Sequence, residues 1–591
     1  MGRCNSSISR AGKPTPWSHG TWCKRRGRER TLADPVNQLV KDLGAACSPD
    51  RVLTHPQRTL PFRTGYRIGC GDAAAVVTPE SLLELWRVAL VCARHAAIMI
   101  VQAANTGLTG GSAPFGEYDR PVVIISTTRL VGVLPLKGGE ESLCLAGSTL
   151  TELEDTIRPM GRLPHSVIGS SCIGASVVGG VCNNSGGALV RRGSAYTERS
   201  LYARVNEAGE LELINHLGRD LGSEPEEILR RLDAGDIGAE TSESFEPVRD
   251  VPDHIDTLRT LGDEPTRFNA DIRKLFEAAG CAGKLIVFAV RVPTFEAPRR
   301  ERSFIVGTNR AEDLTRLRRE MLSSLVILPS VCEYVSKGAS DLAAQYGRDV
   351  CQLLRMFGAR IMPRVLETQK RLDVALRRIG LSGLSSAKIS QLIFKASPHP
   401  LPKNMRAFFD THDHLLLITT DDDGIEPLKS ILEELSSEGG LDYLEPSEAD
   451  ADAAFRVRFA SAGATVRIRD ISKNAGELAA LDVALPGGTR DWDLLLPEHL
   501  NNQIMAKAIY GHFLCHVFHL DYVLKPGVDR EDFELEIKAL IEAQGGQMPA
   551  EHNFGHLYEA PPPVVEFYKK LDPTNSLNPG IGKTSRERDW A

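Results

Sequence analysis

What most limits the folds open to this chain is a pair of segments made of small residues, each led in by an apolar run. Residues 103–112 read "AANTGLTGGS" and follow "AAIMIVQ"; residues 164–187 read "PHSVIGSSCIGASVVGGVCNNSGG". A segment without bulky side chains buries little apolar surface of its own, so it belongs where backbone must approach something closely. Successive N–H groups in such a loop form an anion-binding nest, and Gly107, Gly110 and Gly111 permit the positive φ that a nest needs. The first segment contains neither GxxxxGK[ST] nor a GxGxxG opening a helix, which removes the P-loop and the Rossmann fingerprint. A backbone-held diphosphate is the occupant that fits. The second segment, with Asn183, Asn184 and its serines as hydrogen-bonding groups, suits a large flat ligand beside it.

At 591 residues the chain exceeds the roughly 250–300 residues at which one core stops growing, so two or three domains are expected. The longest apolar stretch, "VVTPESLLELWRVALVCARHAAIMIVQAA", is broken by Pro79, Glu80, Glu84, Arg87, Arg94 and His95, short of the ~20 uninterrupted residues of a spanning helix. It reads as a buried helix and then a strand, with Thr78 as N-cap and Pro79 at the first helical position. Short β-branched runs alternate with helical patterns up to about residue 292, and residues 219–266 read as an acidic, exposed excursion from that domain. The strand-then-helix order of "SFIVGTNRAEDLTRLRREML" recurs in "HLLLITTDDDGIEPLKSILEEL", which predicts one α+β domain interrupted by an insertion.

The formal charge of −7 argues against a nucleic-acid partner. Twelve cysteines without a CxxC pair indicate a reducing compartment. Two local charge reversals stand out. Residues 1–30 carry eight Lys/Arg against Glu29 and few apolar residues, which predicts a basic, disordered tail over 1–32 without a signal-peptide h-region. Residues 353–406 carry eleven basic residues (Arg355, Arg360, Arg364, Lys370, Arg371, Arg377, Arg378, Lys388, Lys395, Lys403, Arg406) against Glu367 and Asp373, interleaved with residues such as Met356, Phe357, Leu372, Leu392 and Ile393. Basic and apolar residues alternating at helical spacing describe a surface that sits on anionic lipid. A solvated helical face is the competing reading.

The two small-residue segments and "GKLIVFAV" resemble the diphosphate loop, isoalloxazine-side loop and closing strand of the vanillyl-alcohol-oxidase-type (PCMH-type) FAD domain. More narrowly, "GDAAAVVTPESLLELWRV", "RGSAYTERSLYARVNE", "GCAGKLIVFAVR" and "DPTNSLNPGIGKTS" resemble the bacterial respiratory, quinone-dependent D-lactate dehydrogenases. That resemblance implies an α+β chain: a two-subdomain PCMH-type FAD-binding domain over 33–296 and an α+β cap (substrate) domain over 297–350 and 407–560. It further implies a basic, largely helical membrane-binding insertion over 351–406 and a segment over 561–591 returning to the FAD domain. FAD contacts are implied at Ala103, Ala104, Asn105, Thr106, Gly107, Gly111 and Ser112, at Gly169, Ser176 and Gly186, and at Val287. The implied activity is oxidation of D-lactate to pyruvate with electrons passed to a membrane quinone of the respiratory chain. The implied location is peripheral, at the cytoplasmic face of the bacterial inner membrane. Oxidation of another 2-hydroxy acid, such as glycolate or 2-hydroxyglutarate, is the alternative activity, and a non-catalytic lipid-surface flavoprotein a remoter one.

Five of fifteen histidines fall between His512 and His556, in "YGHFLCHVFHLDY" and "AEHNFGHLY". Oxidising a 2-hydroxy acid requires a base for the hydroxyl proton, and neutral imidazole suits that task; a cation could polarise the substrate oxygens. The wider family of FAD-linked 2-hydroxy-acid dehydrogenases is similar here through Gly-His-x-Gly-Asp-Gly-Asn-x-His and a later Glu-His-Gly. Gly511, His512 and His519 match the ends of the first pattern, and Glu551 and His552 the start of the second. By that match His512, His519 and Glu551 are divalent-metal ligands and His552 is the base. "FLCHVF" replaces the inner Gly-Asp-Gly-Asn, and Asn553 replaces the glycine. His516 and His556 read as packing residues. Lys403, Arg406, Asn578, Gly580 and Lys583 stay open as partners for the substrate carboxylate.

Overall fold

The computed structural model describes residues 34–166, 173–241, 251, 253–358, 385–395 and 397–591, with Val365, Thr368, Gln369, Leu372 and Leu376 between them. The tail over 1–32, Gly169, and six of the eleven basic residues (Arg360, Arg364, Lys370, Arg371, Arg377, Arg378) lie outside the described residues.

The first small-residue loop leaves a four-stranded sheet in which Ala75–Val77, Val122–Ser126 and Ile98–Gln102 run parallel, with Val52–Leu53 antiparallel at one edge. Parallel strands are covered on both faces, which explains the unbroken apolar run. Met99, Val123 and Ile125 pack under the helices Asp34–Ala46 and Leu82–Arg94, while Ile98, Ile100 and Ile124 fill the other side. The helix begins later than the Pro79 pattern predicts. Ser81 is its N-cap, accepting from Glu84 N at 3.1 Å, and Thr78 is spent on Arg51 O.

A second sheet, wholly antiparallel, runs Val133–Leu136, Glu141–Leu145, Ile286–Glu296, Ser200–Val205, Leu211–Asn215, and carries the second small-residue loop on one face. The acidic stretch after 219 is not an excursion throughout. Helix Pro225–Asp233 buries Ile228, Leu229 and Leu232 in the first core, and Asp233 caps the N–H groups of Leu82 and Leu83. Leu258 enters the core of the other domain. Charge density hid an amphipathic helix whose apolar stripe is only three residues wide.

That other domain is a seven-stranded antiparallel sheet ordered Asp442–Leu444, Glu301–Thr308, His414–Asp421, Val331–Ser336, Ile504–His512, Val517–Leu524, Leu478–Ala484. The two strand–helix units seen in the sequence supply neighbouring strands, paired from Glu301↔Asp421 to Thr308↔His414. Side chains alternate between faces. Phe304, Tyr334, Leu416, Ile418, Phe518, Leu520 and Leu481 meet the helices Ala311–Ser324, Ile425–Ser437 and Arg530–Ala543. Ile305, Val335, Leu415, Leu417, Ala508 and Tyr510 meet Lys337–Tyr346, Lys403–Thr411 and the long Glu448–Ile471.

The basic segment interrupts this sheet between Val331–Ser336 and His414–Asp421. Its described part includes helices Arg348–Phe357 and Ser386–Phe394, which expose Met356 (63%), Leu392 (76%) and Ile393 (64%). Among the described residues no helix is long and apolar enough to cross a membrane. The chain ends back on the first sheet. Met99 N donates to Ser576 O and Asn578 N to Met99 O, both at 2.9 Å, which covers the free edge of Ile98–Gln102.

Candidate active site

Residues 103–112 lie beyond the carboxyl ends of the parallel strands, the usual ligand crevice of such a sheet. Of the three glycines expected to be left-handed, only Gly110 is (φ 73°); Asn105 (φ 53°) takes the other such position. Asn105 can do so because its amide donates to Thr64 O at 2.8 Å and accepts from Ser112 Oγ at 2.9 Å. Gly107 and Gly111 serve by being small. A Cβ on Gly107 would meet nothing within 4 Å, so it faces open cleft, whereas on Gly111 it would lie 2.8 Å from Asn553 Nδ2. In the second segment a Cβ on Gly186 would lie 2.1 Å from Glu551 Oε1. Ser176 Oγ accepts from Gly179 N at 3.0 Å and heads the helix Val177–Cys182. Asn105, Gly107, Gly111, Ser176, Gly186, Glu551 and Asn553, with Ala103, Ala104, Thr106 and Val287, line one cleft of about 3890 Å³. Ordinary small-ligand sites take roughly 300–1,000 Å³, so a dinucleotide and a second ligand fit together.

The close approaches at Gly111 and Gly186 reveal what the glycines admit: the segment 551–556 runs between the two loops. Asn553 Nδ2 donates to Asn183 Oδ1 at 2.7 Å, and His556 bonds Thr109 O through its N–H (2.9 Å) and Ala113 O through Nε2 (3.1 Å). His556 is thus a fastener. His516 likewise packs, at the left-handed end of a hairpin turn (φ 52°) with Nδ1 on Pro486 O.

Sheet register assembles the rest. Glu333 is directly opposite His512, Tyr510 opposite His519, and His519 opposite Asp482, all on the cleft face. His512 and His519 are seven residues apart yet diagonal neighbours, with ring centres 5.5 Å apart. His512 Nδ1 meets Glu333 Oε1 at 2.5 Å and its Nε2 meets Glu551 Oε2 at 3.0 Å. His519 Nδ1 lies 3.1 Å from Asp482 Oδ1, and His552 Nδ1 lies 3.0 Å from Asp482 Oδ2. Backbone N–H groups of Glu551 (2.6 Å) and His552 (3.1 Å) also donate to Asp482. Behind them Arg267 pairs with Glu551, and Arg458 pairs with Glu333 at 2.7 Å while lying 4.4 Å over the Tyr510 ring.

The charges are set by this network. Burial pushes the Glu551 carboxyl up, but Arg267 and His512 more than reverse it, to about 2. Burial pushes His512 down, and Glu333 and Glu551 outweigh that and raise it to about 9. For His519 burial wins over Asp482, and its pKa falls below the usual histidine value. For His552 burial is outweighed by Asp482, and its pKa rises. His512, His519 and Glu551 offer ligand atoms within 4.8 Å of one another. Each of the two histidines gives its other nitrogen to a carboxylate, the second shell that metal-binding imidazoles have. The donor set therefore fits a divalent ion.

Sequence reading brought His512, His519, Glu551 and His552 together but missed Glu333, Asp482, Asp521, Arg267 and Arg458. The three acids did leave a signal: each is a lone carboxylate inside an apolar strand, "VCEYV", "ALDVAL" and "HLDYVL". Of the open carboxylate partners, Asn578 and Lys583 line the cleft. Lys403 and Arg406 belong to the helix Lys403–Thr411 and are not among the residues lining it; Arg406 pairs instead with Asp410 (3.5 Å).

Comparison with known proteins bears on the whole assembly. A family described as "D-lactate dehydrogenase, membrane binding" matches residues 303–590. The quinone-dependent D-lactate dehydrogenase of Haemophilus influenzae is 45% identical over 94% of this chain and 100% of its own, and that of Escherichia coli 44% identical over 94% and 97%. Among solved structures, an alkyldihydroxyacetonephosphate synthase superposes with TM-score 0.56 at 13% identity, covering 92% of this chain and 84% of that one. A substrate-bound p-cresol methylhydroxylase does so with TM-score 0.56 at 13% identity, covering 94% and 98%. The fold is the PCMH-type FAD-binding fold joined to an α+β cap.

Proposed function

The chain belongs to the quinone-dependent D-lactate dehydrogenases, and from that premise we propose that His552 is the base that opens its reaction. The enzyme oxidises D-lactate to pyruvate and delivers the electrons to a quinone. Bound FAD would supply the two-electron acceptor chemistry for the hydride on C2 of the substrate. Ala103, Ala104, Asn105, Thr106, Gly107, Gly111 and Ser112 would hold its diphosphate side, and Ser176, Gly186 and Val287 would border the remainder.

The observation carrying the reading is the Asp482–His552 pair. With Nδ1 committed to Asp482 at 3.0 Å, His552 is fixed in the tautomer whose Nε2 lone pair is available, and its side chain stays 28% exposed to the cleft. Asp482 also stabilises the imidazolium that forms when the hydroxyl proton arrives at Nε2. His512, His519 and Glu551 would hold a divalent ion, which would supply Lewis-acid polarisation of the substrate oxygens. The basic and apolar residues of 351–406 dock on anionic lipid at the cytoplasmic face of the membrane, where a lipid-soluble quinone reaches the cleft that Leu353, Leu354 and Phe357 help to line. Supporting that docking are the exposed Met356, Leu392 and Ile393 beside Arg355, Lys388 and Lys395.

The test is anaerobic bleaching of the flavin by D-lactate in His552→Gln. Removing a positioned base costs about 10²–10⁴-fold, so the bleaching rate falls by that factor while FAD content and dithionite reduction stay normal. Bleaching at the wild-type rate removes His552 from the reaction.

A further inference from the structure

A 2-hydroxy acid is an anion, and its carboxylate needs a cation held in the same frame as the flavin and the base. Two arginines next to the site face the cap carboxylates: Arg267 is buried against Glu551 and Gly187 O, and Arg458 is paired with Glu333. They balance Glu551 and the Glu333 carboxylate behind His512. A third, Arg67, reaches the same part of the cleft from the FAD domain.

Arg67 sits at the tip of a very tight turn. Gly65 N donates to Gly69 O at 2.8 Å; a Cβ on Gly65 would lie 2.0 Å from Ile68 O, and Gly69 has φ 93°. The turn rests directly on the first glycine loop, because a Cβ on Gly110 would lie 2.8 Å from that same Ile68 O, and Thr64 O accepts the Asn105 amide. The backbone under Arg67 is therefore bolted to the loop that fits the FAD diphosphate. Its guanidinium interacts with Tyr510 and Asp521 of the cap and is felt by His552. Asp521 is itself held by Tyr510 Oη (3.1 Å) and Thr465 Oγ1 (2.9 Å). A guanidinium carries five N–H donors in a planar fork, so one arginine can serve Tyr510, Asp521 and a ligand carboxylate together.

We propose that Arg67 binds the carboxylate of the 2-hydroxy-acid substrate, holding it from the flavin-loop wall of the cleft while His552 takes the hydroxyl proton. This rests on the reading of His552 as base. It explains a feature that FAD binding does not: two glycines, Gly65 and Gly110, close on Ile68 O beside one arginine. It also makes the anchor selective for 2-hydroxy acids over neutral alcohols, since a neutral alcohol brings no carboxylate for the guanidinium to bind.

The experiment uses full-length, FAD-loaded enzyme and titrates oxalate, a non-reacting planar carboxylate, by its perturbation of the oxidised flavin spectrum. Charge-assisted bidentate bonds are worth enough that Arg67→Ala should weaken oxalate about 100-fold, with KM for D-lactate rising in parallel and kcat changing far less. Arg67→Lys keeps the charge and stem and loses the fork, so it should weaken oxalate by roughly tenfold. The decision rests on the lysine variant, which preserves the packing. Oxalate affinity within twofold of wild type in Arg67→Lys, with FAD bound, overturns the assignment. His552→Gln separates the two ideas: it should bind oxalate normally yet bleach slowly. If it bleaches at the wild-type rate the base assignment fails, whatever the Arg67 variants do.

Discussion

Replacing Gly186 by alanine adds one methyl group and nothing else, because Gly186 is not in the left-handed region and its backbone accepts a side chain. The methyl carbon would lie 2.1 Å from Glu551 Oε1, 2.4 Å from Cδ and 2.9 Å from Cγ. Restoring ordinary contact requires the carboxylate to move by about 1 Å. Such a move takes the 3.0 Å His512 Nε2 to Glu551 Oε2 contact out of hydrogen-bonding range. Overpacking costs ~1–3 kcal/mol and a lost bond between charged groups ~1.5–3 kcal/mol, together about 3–5 kcal/mol. At roughly 2–4 °C per kcal/mol for a domain of this size, melting of the cap should drop by about 10 °C. D-lactate bleaching should fall with it, since the backbone N–H of Glu551 and the side chain of His552 share Asp482. Glu551→Asp shortens the side chain by one bond, about 1.5 Å, so the pair Gly186→Ala, Glu551→Asp should be more stable than additivity of the single variants predicts, by a coupling on the order of 1–2 kcal/mol. Wild-type melting in Gly186→Ala, or strict additivity in the pair, would refute the claim that this glycine exists to seat Glu551.

Gly107→Ala is the counterpart: with no protein atom within 4 Å of the new methyl, the apoprotein should melt as wild type while FAD affinity falls, and unchanged FAD affinity would take Gly107 out of the cofactor site. Purified enzyme should carry about one divalent ion per chain by mass spectrometry, and His512→Ala should lose it; reloading the metal-free enzyme should release a proton, because His512 is raised to about 9 by Glu333 and Glu551 and must give up its Nε2 proton to bind metal. Anionic vesicles should sediment the protein at low salt and release it as salt shortens the Debye length; binding indifferent to salt would point to the apolar residues alone. Lys284 is fully buried between Asn575 Oδ1 (2.7 Å) and the Trp590 ring, and burial, opposed by Asp572, lowers its pKa to about 8. The unfolded chain then holds the extra proton between about pH 8 and the ordinary lysine value near 10.4, so this site's contribution to stability rises with pH across that window. The difference in Tm between wild type and Lys284→Met should grow from pH 8 to 10, and a flat difference would show that the buried lysine does not titrate there.

What was legible beforehand follows from how far apart the cooperating residues lie. The small-residue loop after an apolar strand, the repeated strand–helix unit and the basic insertion are local patterns, and composition alone announces them. His512 and His519 were paired by the resemblance to the wider family, and the hairpin turn between them is what puts both on the cleft face. The helix Pro225–Asp233 was hidden because its exposed acids dominate the composition while only Ile228, Leu229 and Leu232 decide its burial.

A backbone-lined ligand site, a cluster of imidazoles with one carboxylate, and a basic amphipathic segment in an α+β chain are all readable from the order of residues. Which charges complete the site depends on folding. Glu333 meets His512 across 179 positions of chain, Asn553 meets Asn183 across 370, and Arg67 is carried to Tyr510 and Asp521 by a turn pinned to the flavin loop. Those partners are set by strand register and by glycines that let segments pass within van der Waals contact. Neither leaves a periodic signal, because what a lone acid in a strand or a missing Cβ accomplishes depends on the neighbour that folding brings to it.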